Sequence, residues 1–204
     1  MSEYKTIVLK RGKEDSLDRF HPWVFSGAVQ QQPDGLTEGD VVEVHASDGR
    51  LLGVGHFQIG SILVRMLDFG DTVIDGKFYR TRIEQAFALR RTLGLMRPDN
   101  NAFRLVHGEG DFLPGLVVDI YDRTAVVQAH SPGMHFAREM IADALMKIGE
   151  SLISNVYYKS ETTLPYKAQL NSEDGYIRGG FCRDRLHRQR RCGWRDAVHH
   201  EIAE

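Results

Sequence analysis

The sequence predicts a mixed β and α+β protein: a small β-barrel followed by a small α+β domain, with no complete Rossmann domain. Three observations carry that expectation. Residues 1–73 hold five or six short apolar runs with turn signals about every ten residues, as in a small barrel. From residue 75 the apolar spacing switches to a helical period, and β-branched runs return at 116–121, 124–129 and 154–159. No strand-like run is followed by Gly-x-Gly-x-x-Gly and a helix, the fingerprint of a nucleotide-binding βα turn.

The elements follow in order. Thr6 to Leu9 reads as a strand, and Lys10 to Ser16 as a polar connection. In Arg19 to Ala28, Pro22 keeps His21 out of the helical region, so the segment is extended or turning. Within it Trp23 and Phe25 alternate with Val24, which makes one of the two rings a core candidate. Asp34-Gly35 and Glu38-Gly39 are turns, Asp40 to His45 is a strand, and Ser47-Asp48-Gly49 turns into a strand over Leu51 to Phe57. Ser61 to Leu67 is the last strand of the barrel, and the linker lies near Phe69-Gly70-Asp71.

Tyr79, Ile83 and Phe87 stand four apart in a helix over 75–95, which Gly94 and Pro98 end. Arg80, Arg82, Arg90 and Arg91 on that helix, with Arg97 and Arg104 beyond it, read as a solvated face rather than a binding face, since nearby acids dilute their charge. Arg104 to Tyr121 reads as strand, glycine-rich acidic loop, strand, and Asp122-Arg123 links it tightly to Thr124 to Ala129. A single helix over about 134–148, capped by Ser131 or by the turn that follows it, has an apolar stripe from Met134 to Ile148 that belongs to a core. Ser154 to Lys159 is a fourth strand of this unit.

An apolar fraction of 42% suits a globular chain, and the net charge of -2 leaves room only for a local basic patch. No run is long enough to span a membrane and no signal-peptide pattern opens the chain, so a soluble cytoplasmic protein is expected. Cys182 and Cys192 form neither a disulfide framework nor a zinc pattern. Both lie in the segment 179–204, a basic tail without apolar periodicity that holds six Arg and three His. The genetic code permits a one-base shift from Phe181 that yields an alternating strand and an Asn-Gly turn. The tail is therefore expected to be frame-shifted or disordered, with a solvated RNA-touching tail as the alternative.

Two stretches carry a family resemblance. Arg19-Phe20-His21-Pro22-Trp23-Val24-Phe25-Ser26-Gly27-Ala28, followed by Glu38-Gly39-Asp40-Val41-Val42-Glu43-Val44, resembles the N-terminal PUA domain of class I SAM-dependent large-subunit rRNA (cytosine-C5) methyltransferases. The long run from Asn101 to Asp119, with Tyr158-Lys159-Ser160-Glu161, is similar to the central α+β domain of the same family; Phe112 departs from it where a small residue is expected. The resemblance implies a PUA-like RNA-binding domain over 1–73 and a central domain over 75–178. It implies ribosomal RNA as partner and, in the full-length family, S-adenosyl-L-methionine as cofactor.

That family uses a cysteine thiolate that adds to C6 of the base and activates C5. Its catalytic Rossmann-like domain has no counterpart here, so no catalytic residue, metal or cofactor is assigned to this chain. The expected function is the RNA-binding portion of such an enzyme, truncated and inactive alone; the alternative is a stand-alone RNA-binding or ribosome-associated adaptor. In a PUA-like barrel the candidate RNA contacts are Lys10, Arg11, Lys13, Arg19, His21, Trp23, Ser26, Gly27 and Arg65. The loop with His107, Gly108, Glu109, Gly110, Asp111, Pro114 and Gly115 lacks a full ligand set for calcium or zinc. Its carboxylates are expected to cap the loop's own backbone, and the resemblance implies that it docks toward the catalytic domain.

Overall fold

A computed structural model describes residues 4–149, 152–165, 170 and 173–180. The expectations for the tail beyond residue 180, including Cys182 and Cys192, fall outside the described residues. The first unit contains β1 (Lys5–Leu9), α1 (Asp15–Asp18), β2 (Trp23–Phe25), β3 (Val29–Gln31), β4 (Val41–His45), β5 (Leu51–Phe57) and β6 (Ile62–Asp68). The strands form one curled sheet in the order β2-β6-β5-β4-β1-β3. Among the described residues of this sheet, only β1 and β4 pair in parallel.

The two edge strands are consecutive in the chain. A single 3-10 turn, Ser26–Ala28, leads from β2 to β3. The Ser26 amide donates to the Ser61 carbonyl and the Lys10 amide to the Ala28 carbonyl, so the connection closes the half-barrel where strand pairing stops. Ile7, Leu9, Val24, Val42, Val44 and Val64 fill the interior. On β2 it is Val24 that turns inward, paired with Val64, whereas Trp23 is half-buried and Phe25 exposed. This corrects the reading of Trp23 or Phe25 as core: inward space opposite Val64 suits a branched aliphatic side chain.

The second unit contains α2 (Gly76–Thr92), β7 (Ala102–His107), β8 (Leu116–Tyr121), β9 (Thr124–Ala129), α3 (Pro132–Phe136), α4 (Arg138–Ile148), β10 (Asn155–Tyr158) and β11 (Gly175–Arg178). Its sheet runs β11-β10-β9-β8-β7, and α3 and α4 form the crossover between the parallel strands β9 and β10. Leu105, Leu116, Val118, Val127 and Val156 meet Tyr79, Ile83, Ile141 and Leu145 in a second core. Asp75 caps α2 by accepting the Lys77 and Phe78 amides, both at 2.9 Å.

The single helix expected over 134–148 is two. Ser131 caps α3, and the chain bends at Ala137 before α4 begins. The bend lets Met134 and Ile141 reach one core while Gly133 and Phe136 meet the barrel. Strands β3 and β11 carry no strong alternation and were not expected.

The two units interlock. A Cβ added to Gly133 would lie 2.1 Å from the His56 ring, and one added to Gly39 would lie 2.4 Å from the Phe136 ring. Neither position has room for a side chain, so α3 lies directly on the barrel.

Candidate nucleic-acid interface

The site is built on the segment that joins β1 to β3. Lys10, Arg11 and Lys13 follow β1, in a turn closed by the Lys13 amide donating to the Lys10 carbonyl. The short α1 comes next. Phe20 then takes a left-handed conformation (φ 61°) that reverses the chain toward β2. Phe20 is 67% exposed and meets Phe69 edge to face at 5.2 Å.

The candidate residues fall into two groups. Lys10, Arg11, Lys13, Arg19, His21, Ser26 and Gly27 are all exposed on this segment. Lys10 donates through Nζ to the Gly27 carbonyl, which ties the basic turn to the 3-10 turn. No carboxylate of the described residues forms an ion pair with Lys10, Arg11, Lys13 or Arg19. The His21, Trp23 and Phe25 rings form a cluster with centroids 5.7 to 6.4 Å apart.

Trp23 and Arg65 belong to a different arrangement. They pair across β2 and β6, and Glu109 of the second unit reaches both. Its Oε1 accepts from Trp23 Nε1 at 2.9 Å and from Arg65 Nη1 at 3.2 Å. Arg65 also donates to Gln58 and lies 5.8 Å from the Trp23 ring centroid. Burial pushes the Arg65 guanidinium below its ordinary pKa, and the Glu109 carboxylate opposes that shift. Arg65 and Trp23 therefore form a contact between the units rather than a free surface.

The acidic loop is fixed from both sides. Asp111 is held bidentately by Arg90, with Nη2 to Oδ2 at 2.7 Å, and accepts the His107 amide at 2.6 Å. Asp111 thus caps its own loop, whereas Glu109 does not; it turns to the barrel instead. Pro114 and Gly115 are buried, and Gly108 and Gly115 take positive φ of 51° and 86°. Phe112 takes φ 56°, a conformation in which a glycine carries no steric cost, and its ring lies 5.4 Å from the Arg82 guanidinium.

The arginines read as a solvated face are mostly engaged. Arg82 pairs with Asp68 at 2.6 Å, Arg97 with Asp99 and Arg104 with Asp119. Arg90 is 7% exposed, so it corrects that reading: a pattern of spacing alone cannot show the buried Asp111 that draws it inward. His130 has its pKa lowered by burial and then by Arg65 and Arg104, with Glu109 opposing. Among the described residues no group of three or more His, Cys, Asp or Glu is placed to hold a metal ion.

Residues 7–69 match the model of a PUA-like domain. Over 176 residues the chain is 38% identical to ribosomal RNA large subunit methyltransferase I of Alteromonas mediterranea, covering 85% of this chain and 43% of that protein. It is 34% identical over 175 residues to the protein of the same name from Yersinia pseudotuberculosis, with the same coverage. A candidate SAM-dependent methyltransferase from Streptococcus mutans shares the fold, with a TM-score of 0.70 at 13% identity over 87% of this chain and 44% of that one. The chain spans less than half the length of the relatives it matches. Residues 7–69 are thus a PUA-like domain, and the chain is homologous over 85% of its length to ribosomal RNA large subunit methyltransferases I.

Proposed function

We propose that this polypeptide is an RNA-binding portion of a large-subunit rRNA (cytosine-C5) methyltransferase, and that it does not methylate on its own. The observation that carries the reading is the uneven distribution of available charge. Arginines of the α+β unit are largely matched by carboxylates, while Lys10, Arg11, Lys13 and Arg19 on the PUA-like unit stand without an ion pair to a described residue. Unpaired cations beside exposed aromatic rings suit phosphates and bases.

S-adenosyl-L-methionine would need an open, glycine-lined turn at the C-terminal end of a parallel strand. Among the described residues, the crossover through helices between parallel strands, from β9 to β10, starts at His130 to Gly133. There the Ser131 hydroxyl caps α3 and Gly133 lies against the His56 ring, so this turn is filled by the protein. These residues do not fit the cofactor, and no methyl-transfer step is derived from them.

Binding to a fluorescent large-subunit rRNA fragment, followed by anisotropy from 20 to 200 mM salt as a practical range, tests the reading. The account predicts weak, salt-sensitive binding with a slope of a few phosphates, of order 3 to 4 contacts. Absence of binding at the lowest salt would sink it. Micromolar binding of S-adenosyl-L-methionine by calorimetry would overturn the claim that this polypeptide does not methylate alone.

A further inference from the structure

Two phenylalanines stand out of the fold in the same unusual way. Phe20 and Phe112 both take left-handed backbone conformations, with φ of 61° and 56°, where a Cβ is crowded and a glycine is not. Both rings are nonetheless left largely in solvent, Phe112 being 53% exposed. Neither the backbone nor a core calls for a large apolar side chain at these positions, so the reason for a ring lies outside the chain.

The two residues flank one segment, the connection that leaves β6. Phe69 packs against the barrel core and meets the Phe20 ring edge to face. Asp68 pairs with Arg82, whose guanidinium lies 5.4 Å from the Phe112 ring centroid. Thr72 Oγ1 donates to Asp68 Oδ2, which folds residues 68–72 into a turn, and Val73 beyond it is 59% exposed. Phe20, Phe112 and Val73 thus mark an apolar face at the junction of the two units. It offers on the order of 300 Å² of free side-chain surface, taking about 200 Å² for a whole phenylalanine.

The charges on this face have both signs. Arg19 precedes Phe20, and Asp71 follows Phe69 by two residues. Both are exposed, and neither forms an ion pair among the described residues. A nucleic acid would meet carboxylates here, at Asp71 and at Asp18 of the exposed Asp18–Arg50 pair. A face that sets an unpaired cation and an unpaired anion beside apolar rings is complementary to itself after a two-fold rotation.

We propose that this face joins two copies of the chain in a weak two-fold dimer, in which Phe20 and Phe112 leave water and Arg19 pairs with Asp71 of the partner subunit. The inference is independent of the RNA-binding reading. It gives Arg19 to the dimer and leaves Lys10, Arg11 and Lys13 to phosphate. A stable dimer buries about 800 Å² per partner, which exceeds the apolar surface of this face. A dissociation constant on the order of 100 μM is therefore expected.

Sedimentation equilibrium of the full chain, free of nucleic acid and from about 10 to about 500 μM, tests this. The average mass should rise from 23.2 kDa toward twice that value. Phe20→Asn removes the ring and substitutes a residue that tolerates the left-handed conformation. It is expected to weaken association at least about 10-fold without lowering the melting temperature. Arg19→Asp and Asp71→Arg each place like charges opposite one another, and each variant should be monomeric alone. Mixed in equal amounts, they restore both pairs with the signs exchanged, and the mixture should associate like the wild type.

A wild-type chain that stays at 23.2 kDa throughout overturns the inference and leaves the face to a different protein. A mixture of the two charge variants that remains monomeric overturns it as well, whatever the effect of Phe20→Asn on folding. So does a dimer that persists in Phe20→Asn; weaker binding of the rRNA fragment by that variant would then assign the ring to RNA.

Discussion

Glu109 lies in a loop whose glycines and acids read as self-contained, yet its carboxylate is shared by Trp23 and Arg65 of the other unit. Removing it leaves a part-buried guanidinium and an indole N–H without their acceptor. Because Glu109 itself is 37% exposed, water offsets part of the loss, and Glu109→Ala is expected to cost about 1–2 kcal/mol. Urea denaturation in a Trp194→Phe background checks this, with Trp23 emission shifting to the red as its ring loosens. Unchanged stability together with unchanged emission would show that the contact carries no weight. Spacing could not reveal this role, since Trp23 and Glu109 are 86 residues apart. Phe112 was legible in part: the family pattern calls for a small residue there, and the left-handed φ supplies the physical reason.

Among the elements, α3 was the least legible. The apolar stripe from Met134 to Ile148 looks continuous, because both halves face the same core, and nothing in that stripe marks the bend at Ala137. The bend seats Gly133 on β5, where His56 is 4% exposed. The His56 Nε2 lies 3.3 Å from the Tyr79 hydroxyl, and its buried Nδ1 has no hydrogen-bond partner among the described residues. Burial pushes the His56 pKa down from 6.5 to about 4.

The unfolded chain therefore takes up this proton first as pH falls. Stability conferred by the neutral ring is full above about pH 6.5 and is lost progressively toward pH 4, a loss bounded by about 3 kcal/mol. Burial lowers His130 and His135 as well, and their contributions have the same sign. Melting temperature should drop between pH 6.5 and 4.5, with a shallower slope in His56→Gln. A flat profile, or an identical slope in the variant, would contradict the role given to this contact.

At the scale of the whole molecule, alternation and turn chemistry made the barrel readable, since Leu51–Phe57 and its hairpin partner are set by local rules. The helical period likewise placed α2. Short edge strands such as β3 and β11 escaped because their pairing is decided by distant neighbours: β1 for one, β10 for the other. The division of charge between the units depends on the same distant pairing. Arg82, Arg90 and Arg104 look as available as Lys10, Arg11 and Lys13 until the fold brings Asp68, Asp111 and Asp119 to them.

This contrast is the centre of the account, and the salt dependence of RNA binding tests it directly. Replacing Lys10, Arg11 and Lys13 together by Ala should weaken binding to the rRNA fragment and reduce the slope of log K against log salt by about 2–3. Replacing Arg97 and Arg104 on the α+β unit, each paired with a carboxylate, should change neither. An unchanged slope in the triple variant, or its loss in the Arg97 and Arg104 variant, would place the RNA on the wrong unit and contradict the proposal.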